Sequence, residues 1–558
     1  TLQLLELGVP VVLALNVMDA LRAGGGSVDT AGLARALGIP VVPVSAALGE
    51  GLDALLDAAV QAAHGPPPDP WRALVSGPVQ TCVRTIARLL APAAHAAGLP
   101  PVFAATQWLD GGSTLHAPAA AETAAARMVR ESGMPRDEAL PTARFAQVDR
   151  LTRFFALPRA LPGSQRSARI DRVLTGRYTA YPAMAGLLGG VFYLTFHIIG
   201  PCLSRLLARG IAWLADAADG ALTALDAGPL LHSLVCEGVF AGVGSVAAFL
   251  PVILALFFFL SLLEDTGYLA RVAFVMDRPL RRLGLSGQSA VPLLLGFGCS
   301  VPGVLAARTL PTRRDRALTI VLTPCMSCSA KAPVYAAFAA AFFPGRSAVV
   351  FLALYALGIL AAAVAARLLG RTVLRGEAAS FVMELPDYRW PNARSVLRRM
   401  WVRTREFLTR AFTIILAASV GVWVLRTFTP TWRVAANAGE SLLAVVGQAL
   451  APVFAPLGFG DWRAATALVT GLLAKETVLS TLGVLLGGDL TAALPGVFSP
   501  AAAASYLVFT ALYAPCVAAQ AAMRQELGSG LGTLAAAAGS CAAAWCAAAV
   551  VYRIAILI

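Results

Sequence analysis

The chain has 558 residues, of which 58% are hydrophobic and only 13% charged, whereas soluble domains carry about a quarter charged residues. So large an apolar excess cannot be buried in one water-soluble core, and it places most of the chain in a bilayer. The net charge of +13 does not point to nucleic acid, because the arginines sit beside apolar runs, as in the cytoplasmic loops of membrane proteins.

The N-terminal stretch is not lipid-like. "VPVVLALNVMDA" reads as a buried strand running into a loop, "DTAGLARALG" as a short helix, "IPVVPVSA" as a second strand and "GLDALLDAAVQAA" as an amphipathic helix. This alternation over 1–65 suggests the end of a parallel α/β sheet. Asn16 and Asp19 form an N-x-x-D loop, and Ser45 with Ala46 follows the next strand. In guanine-nucleotide proteins such an Asp accepts from the base N1 and N2 groups, and the S-A backbone faces O6. An ordinary turn built on Asn and Asp is the alternative. No G-x-x-x-x-G-K-S/T occurs, so the chain lacks a phosphate cradle, and GTP hydrolysis is not expected of these residues alone. The chain starts with Thr1 inside an apolar periodic stretch and has no signal peptide. We expect a fragment whose missing part lies upstream.

"GPPPDP" at 65–70 is a linker, and 66–170 read as a small helical domain rich in Ala and Arg. "RSARIDRVLTGR", 166–177, is a basic juxtamembrane segment. From 171 to the end the chain reads as polytopic. Spans are expected near 182–206, 241–263, 317–343, 347–369, 411–428, 464–486, 503–523 and 531–557, each long enough to cross. The 370–410 loop, rich in arginine, should be cytoplasmic. Two further apolar stretches, 287–307 and 441–457, are broken by Gly and Pro. Arginines flank "LLLGFGCSVPGVLAARTL" (293–310) on both sides. Both ends therefore prefer the cytoplasm, and the segment should dip into the membrane and return. Irregular backbone at that depth must line protein or water.

Chemistry gathers at these breaks, within about 280–345 and 440–525. The first region carries Cys299, Ser300 and Pro302, then "TPCMSCSAKAPVY" with Cys325, Met326, Cys328, Ser329 and Lys331. The second carries Lys475 and Glu476, then Pro515 beside Cys516. Lys331 and Lys475 are the only lysines, and both lie in apolar runs, where ionisable groups usually face a pathway. The two regions look like an internal repeat with a site near the midplane. Thiols, a thioether and a carboxylate suit a borderline divalent transition metal. The thiols read equally as small packing residues, Cys325 and Cys328 as a redox or zinc pair, and Lys475 with Glu476 as buried ion-pair partners. The scattered cysteines form no disulfide framework.

Taken together, "LEDTGYLARVAFVMDR", "LLLGFGCSVPGVLAARTL", "PCMSCSAKAPVY", "LLAKETVLSTLG" and "YAPCVAAQAAMRQELG" resemble the FeoB family of bacterial ferrous-iron transporters. "TLQLLELGVPVVLALNVMDA" looks like the end of that family's G domain, and "FVMELPDYRWPNARSVLRRMW" is similar to its large cytoplasmic loop. The resemblance implies a mainly α protein. A polytopic membrane domain with broken or re-entrant gate helices follows a partial α/β G domain (1–65) and a helical spacer (66–170). It implies Fe2+ import across the inner membrane, gated or driven by GTP with Mg2+ in the complete protein, with the G and spacer domains cytoplasmic. It leaves room for small cytoplasmic FeoA- and FeoC-type partners and for a homo-oligomer, and the oligomeric state stays open. Cys299 and Cys328 correspond to the first gate; Lys475, Glu476 and Cys516 correspond to the second. Rival readings are a nucleoside-like solute on a similar gate and a membrane-anchored GTPase regulator without transport.

Overall fold

A computed structural model describes the chain except residues 24, 47, 75, 112–114, 116, 158–161, 226–227, 377–384, 386–387, 436, 488–489 and 558. Part of the "FVMELPDYRW" stretch therefore lies outside the described residues. The chain divides into two compact units, Thr1–Arg169 and Ile170–Ile558.

In the first unit, strands Leu13–Leu15 and Val41–Pro43 pair in parallel, with Leu13 opposite Val41. Helix Thr30–Leu37 crosses between them. Asp29 caps its start by accepting from the Gly32 N–H, and Gly38 ends it in the left-handed region at φ 70°, where a missing Cβ removes the steric penalty. Helices Pro78–Ala96, Pro101–Leu109, Ala119–Ser132 and Arg136–Phe155 follow. Val83, Ile86, Leu90, Leu109, Met128 and Leu140 form their core, and Leu5, Leu37 and Ile39 from the α/β segment join the same apolar cluster. The α/β segment and the helical segment thus share one core.

A buried ion pair crosses that core. The Arg144 guanidinium donates to both Glu6 carboxylate oxygens at 2.9 and 2.8 Å, and Thr106 Oγ1 donates to Glu6 at 3.0 Å. The Glu6 side chain is 2% exposed. Removing one partner of a buried pair strands a charge and costs about 3–5 kcal/mol. Arg144→Met is therefore expected to destabilise this unit by that order, read as early protease cleavage of the first unit on heating the solubilised chain. Unchanged resistance would show that water, rather than Arg144, satisfies Glu6.

The second unit is helical. Ala180–Ala224, Arg313–Phe342, Ser347–Arg371, Pro500–Leu527 and Gly530–Leu557 are long and apolar enough to cross a membrane. Leu250–Asp265 with Tyr268–Arg281 bends by 84°, and Leu442–Leu457 with Trp462–Thr470 bends by 106°. The core lies on Pro500–Leu512, which is buried along nearly its whole length and packs against Gly530–Leu557 through small residues. Ala502, Ala503, Ala544 and Ala548 are fully covered, and Ser505 Oγ donates to the Ala548 carbonyl at 3.1 Å. Small residues let membrane helices approach where no hydrophobic drive separates lipid from protein.

Several expected spans are corrected. The run 464–486 is two helices, Trp462–Thr470 and Thr477–Leu486. Just after the first of them, a Cβ on Gly471 would collide with Val478 and the Tyr513 hydroxyl, so only glycine fits this close approach. The span 317–343 is interrupted between Leu322 and Ala332, and 503–523 between Leu512 and Val517. The first span is longer than expected and runs on to Ala224.

The stretch 287–307 folds back on itself. Helices Ala290–Gly298 and Ser300–Ala306 meet at Cys299, and a Cβ on Gly303 would lie 2.8 Å from the Pro292 carbonyl oxygen. Residues 11 apart in a straight helix are separated by ~16 Å, so the chain has reversed.

Candidate functional site

Four helix breaks converge, and a chemically distinct side chain stands at the start of the helix after each. Cys299 precedes Ser300–Ala306, Cys328 precedes the turn Ser329–Lys331 that opens Ala332–Phe342, Glu476 precedes Thr477–Leu486, and Cys516 precedes Val517–Leu527. Proline helps set these breaks. Pro324 and Pro333 each occupy the first turn of the element they begin, where their missing N–H costs nothing. Pro515 immediately precedes Cys516.

The breaks are tied to one another. Ser329 Oγ donates to the Gly298 carbonyl at 3.0 Å, and the Val517 N–H donates to the Leu472 carbonyl at 2.8 Å. Lys331 Nζ donates to the Ala511 carbonyl at 2.6 Å and to the Pro324 carbonyl at 3.3 Å. Lys475 Nζ donates to the Ala514 carbonyl at 2.6 Å and lies 3.1 Å from the centre of the Tyr513 ring. Both lysines thus satisfy carbonyls that the interrupted helix Pro500–Leu512 leaves unpaired, which hydrocarbon would otherwise strand. Lys475 and Glu476 both lie in the interruption between Trp462–Thr470 and Thr477–Leu486, and both line one cavity.

Between the breaks is a cavity of about 120 Å³ lined by Cys299, Ser300, Cys328, Ser329, Lys475, Glu476 and Cys516. The rest of its wall is mainly apolar, with Phe196, Leu256 and Phe407 among the lining residues. Among the described residues no three of Cys299, Cys328, Cys516 and Glu476 bring their ligand atoms mutually within 4.8 Å. The wall offers successive soft donors and one hard donor, not a closed cage.

Other sequence candidates fall elsewhere. Met326 is 4% exposed and packs in an apolar cluster with Leu322 and Ala362, with Cys325 against the same cluster. Neither lines the cavity, because the chain turns between Cys325 and Cys328. Pro302 lines a different recess, with Glu264, Arg308 and Glu406. Lys331 is buried behind the cavity wall as a carbonyl cap.

Two charge clusters escaped the sequence reading, since an arginine-rich chain gives no signal of which arginine is paired. Arg308, at the end of the hairpin, donates to Glu406 at 3.1 Å and to Glu526 at 2.6 Å. Arg271 is 1% exposed and donates to both oxygens of Asp171 at 3.0 and 3.1 Å. Tyr388 donates to the same carboxylate at 2.9 Å and lies under the Arg271 guanidinium at 4.1 Å. Burial raises the Asp171 carboxyl, but the hydrogen bonds from Arg271 and Tyr388 and the guanidinium charge outweigh it and hold the group below its ordinary range. A depressed carboxyl stabilises above its unfolded value and loses that contribution only as pH falls through the folded one. Amide exchange protection at 170–174, corrected for intrinsic rate, is therefore expected to be flat from about pH 8 to about pH 5 and to drop in Asp171→Asn throughout. A drop in the unmodified chain within that window would refute this role for the Asp171–Arg271–Tyr388 contacts.

In the first unit the four nucleotide candidates do meet. Ser45 Oγ donates to Asp19 at 2.9 Å, and Asn16 Oδ1 accepts from the Val17 N–H at 2.8 Å and the Ala46 N–H at 3.1 Å. Asn16 joins the loops that follow the two parallel strands, with Val17 held at φ 68°.

Comparison with known proteins matches three parts of the chain to family models. Residues 1–59 match "Ferrous iron transport protein B", 351–403 match "Ferrous iron transport protein B C terminus", and 246–342 with 408–530 match the Gate model, "Nucleoside recognition". The chain is 34% identical over 548 residues to the Fe(2+) transporter FeoB of Staphylococcus aureus (strain COL), covering 94% of this chain and 81% of that protein. It is 33% identical to the Fe(2+) transport protein A/Fe(2+) transporter FeoB fusion protein of Porphyromonas gingivalis (strain ATCC BAA-308 / W83), over 100% of this chain and 73% of that one. It is 33% identical to the Fe(2+) transporter FeoB of Legionella pneumophila, over 94% and 77%. Among solved structures, the cytosolic domain of L. pneumophila FeoB is similar at 25% identity and a TM-score of 0.22, over 28% of this chain and 61% of that one.

Proposed function

The chain belongs to the ferrous iron transport protein B family, and from that premise we propose that it carries Fe2+ inward through the cavity between its four helix breaks. The chain is a multi-pass inner-membrane importer of ferrous iron. The observation that supports this route is the lining itself, in which three thiols and one carboxylate from four separate breaks face one small space. Fe2+ accepts both thiolate and carboxylate, and dispersed donors let it bind and leave. A helix N-terminus favours the negative charge that a ligand to a cation must carry; Cys328, Glu476 and Cys516 each stand at one.

In this reading the hairpin around Cys299 is the inner gate, and Cys328, Cys516 and Glu476 receive the ion above it. Cys325 and Met326 are left out of the ligand set. The first unit and the segment 370–410, which is helical from Ala393 rather than a loop throughout, face the cytoplasm, and guanine nucleotide acts there as a gate or drive. Asn16, Asp19, Ser45 and Ala46 form the base-recognising end. None of them holds Mg2+, which belongs with the phosphates. The Asp171–Arg271 contact fixes the start of the membrane unit to helix Tyr268–Arg281. From there Asp277 accepts from the Gly287 N–H at 2.9 Å, just before the hairpin. That series of contacts gives nucleotide-driven movement a route to the gate. A relative that fuses Fe(2+) transport protein A to the transporter supports a partner of that type.

The test is Fe2+ flux into proteoliposomes containing the chain, with a labelled nucleoside as the competing solute; nucleoside flux without iron flux would overturn the reading. Orientation has its own check. Cysteines introduced at the exposed positions Arg282 and Arg313, in a chain lacking Cys202 and Cys546, are expected to react with an impermeant reagent only from the cytoplasmic side. Labelling from opposite sides would eliminate the re-entrant hairpin.

A further inference from the structure

Far from the gate, one other cluster has the make-up of a metal site. Asp219 Oδ1 lies 2.6 Å from His232 Nε2 and 3.8 Å from Cys236 Sγ. The carboxylate, imidazole and thiol ligand atoms all lie within 4.8 Å of one another, the only such group of three among the described residues. We propose that Asp219, His232 and Cys236 form a capture site for a divalent transition-metal ion at the outer end of the membrane unit.

Asp219 lies near the end of the helical span Ala180–Ala224. It is 39 residues beyond Ala180, or about 58 Å at 1.5 Å per residue, against a hydrocarbon core of ~30 Å. The returning helical path runs from Pro229 to Asp265. At that lower end Asp265 pairs with Arg399 and accepts from the Asn392 N–H. His232 lies about 50 Å above Asp265 by the same rise. Trp423, near the end of helix Ala393–Thr427, donates to Ser233 at 3.0 Å, as an aromatic at the far interface would. The side chains of His232 and Asp219 remain 36% and 51% exposed. An ion arriving from outside reaches this trio before the cavity.

One nitrogen, one oxygen and one sulfur donor select neither Mg2+ nor Ca2+ but a borderline ion of the Fe2+ or Zn2+ kind. Metal–ligand bonds of about 2.0–2.3 Å in a tetrahedron place donors ~3.3–3.8 Å apart, so the two separations from Asp219, 2.6 and 3.8 Å, need shifts of under about 1 Å. The ion would take the place of the proton between Asp219 and His232, which passes to Nδ1 of a neutral ring, and would displace the thiol proton to solvent. Three protein ligands leave a position open, as an ion that must move on requires. His232 and Cys236 are four residues apart and so share a helix face. The path there is π-helical over Leu234–Phe240, a distortion concentrated at functional sites.

Binding itself stands apart from the gate reading; its role in loading the pathway rests on inward Fe2+ movement. The test uses the full chain in detergent with Cys299, Cys328 and Cys516 changed to Ser, titrated with Co2+. One equivalent with a thiolate-to-Co2+ absorption band is expected. Cys236→Ser should abolish the band, and His232→Gln should weaken binding by about 10–100-fold, the loss that even outer partners of a metal site produce. The glutamine amide would still hydrogen-bond Asp219, so a cluster acting only as a clasp would survive this change with binding unaltered. In proteoliposomes with the gate thiols restored, both variants should raise the Fe2+ concentration for half-maximal flux and leave the maximum unchanged. An unaltered Co2+ band and stoichiometry in both variants would overturn the site. Iron flux absent from the parent chain would sink the import reading and leave the Co2+ result to decide the site.

Discussion

Changing Cys516 or Cys328 to Ser is expected to lower Fe2+ flux about tenfold or more, while the amount of inserted, folded protein stays the same. The reason lies in where the two thiols stand. Each precedes the first turn of a helix, where Ser is among the preferred residues and Cys is not. Serine should therefore hold the local backbone as well as cysteine or better. What it removes is the soft ligand, and a hydroxyl is a poor donor to Fe2+ beside a thiolate. Loss of even an outer-shell partner weakens metal binding by about 10–100-fold, so loss of a ligand should reach that range. Flux is measured in proteoliposomes, and insertion by the yield of monodisperse protein. Unchanged flux kinetics in both variants would remove the thiols from the pathway. Equal loss of flux and of folded protein would make them packing residues.

The second large effect concerns Lys331 and Lys475. Methionine in place of either preserves length and apolar bulk but strands carbonyls at the helix breaks: Ala511 at the end of Pro500–Leu512 and Pro324 after Arg313–Leu322 for Lys331, Ala514 for Lys475. An unsatisfied buried acceptor costs about 1–3 kcal/mol, and no water in the hydrocarbon relieves it. Lys331→Met, which strands more than one, is expected to be the more destabilising, by roughly 3 kcal/mol, seen as a lower thermal transition in detergent. Lys475→Met also removes the cation from the Tyr513 face and from the cavity wall, so it should alter flux beyond its effect on stability. Wild-type transitions for both would mean the carbonyls have other partners, and the capping role would fail.

Much of the candidate site was legible in the sequence alone. Gly, Pro and Cys at the breaks announced interrupted helices, and two lysines in an arginine-rich chain marked buried positions. The thiols that line the cavity, Cys299, Cys328 and Cys516, were each beside a break. The roles of the lysines were not legible. Seen alone, a buried cation suggests a pathway or an ion pair, and only the neighbouring helix shows that its partners are backbone carbonyls. Cys325 and Met326 shared composition and spacing with Cys328, yet a turn sends them to the opposite side. The cluster of Asp219, His232 and Cys236 has no motif, because its first member lies on a different helix from the other two.

The sequence by itself determined that the chain is a membrane protein and that thiols stand beside its Gly- and Pro-marked breaks at Cys299, Cys328 and Cys516; the break before Glu476 reads in sequence as one continuous span. These are local matters, fixed by hydropathy along the chain and by the backbone limits of Gly and Pro. Only the tertiary structure decided which breaks face one another, which sulfur atoms share a cavity and which charges are spent on holding carbonyls. Contacts between Lys331 and Ala511, or Arg308 and Glu526, join residues 180 and 218 positions apart. No periodicity reaches that far; helix packing, set by Ala and Ser surfaces and by where each interrupted strand of backbone finds its hydrogen bonds, brings them together.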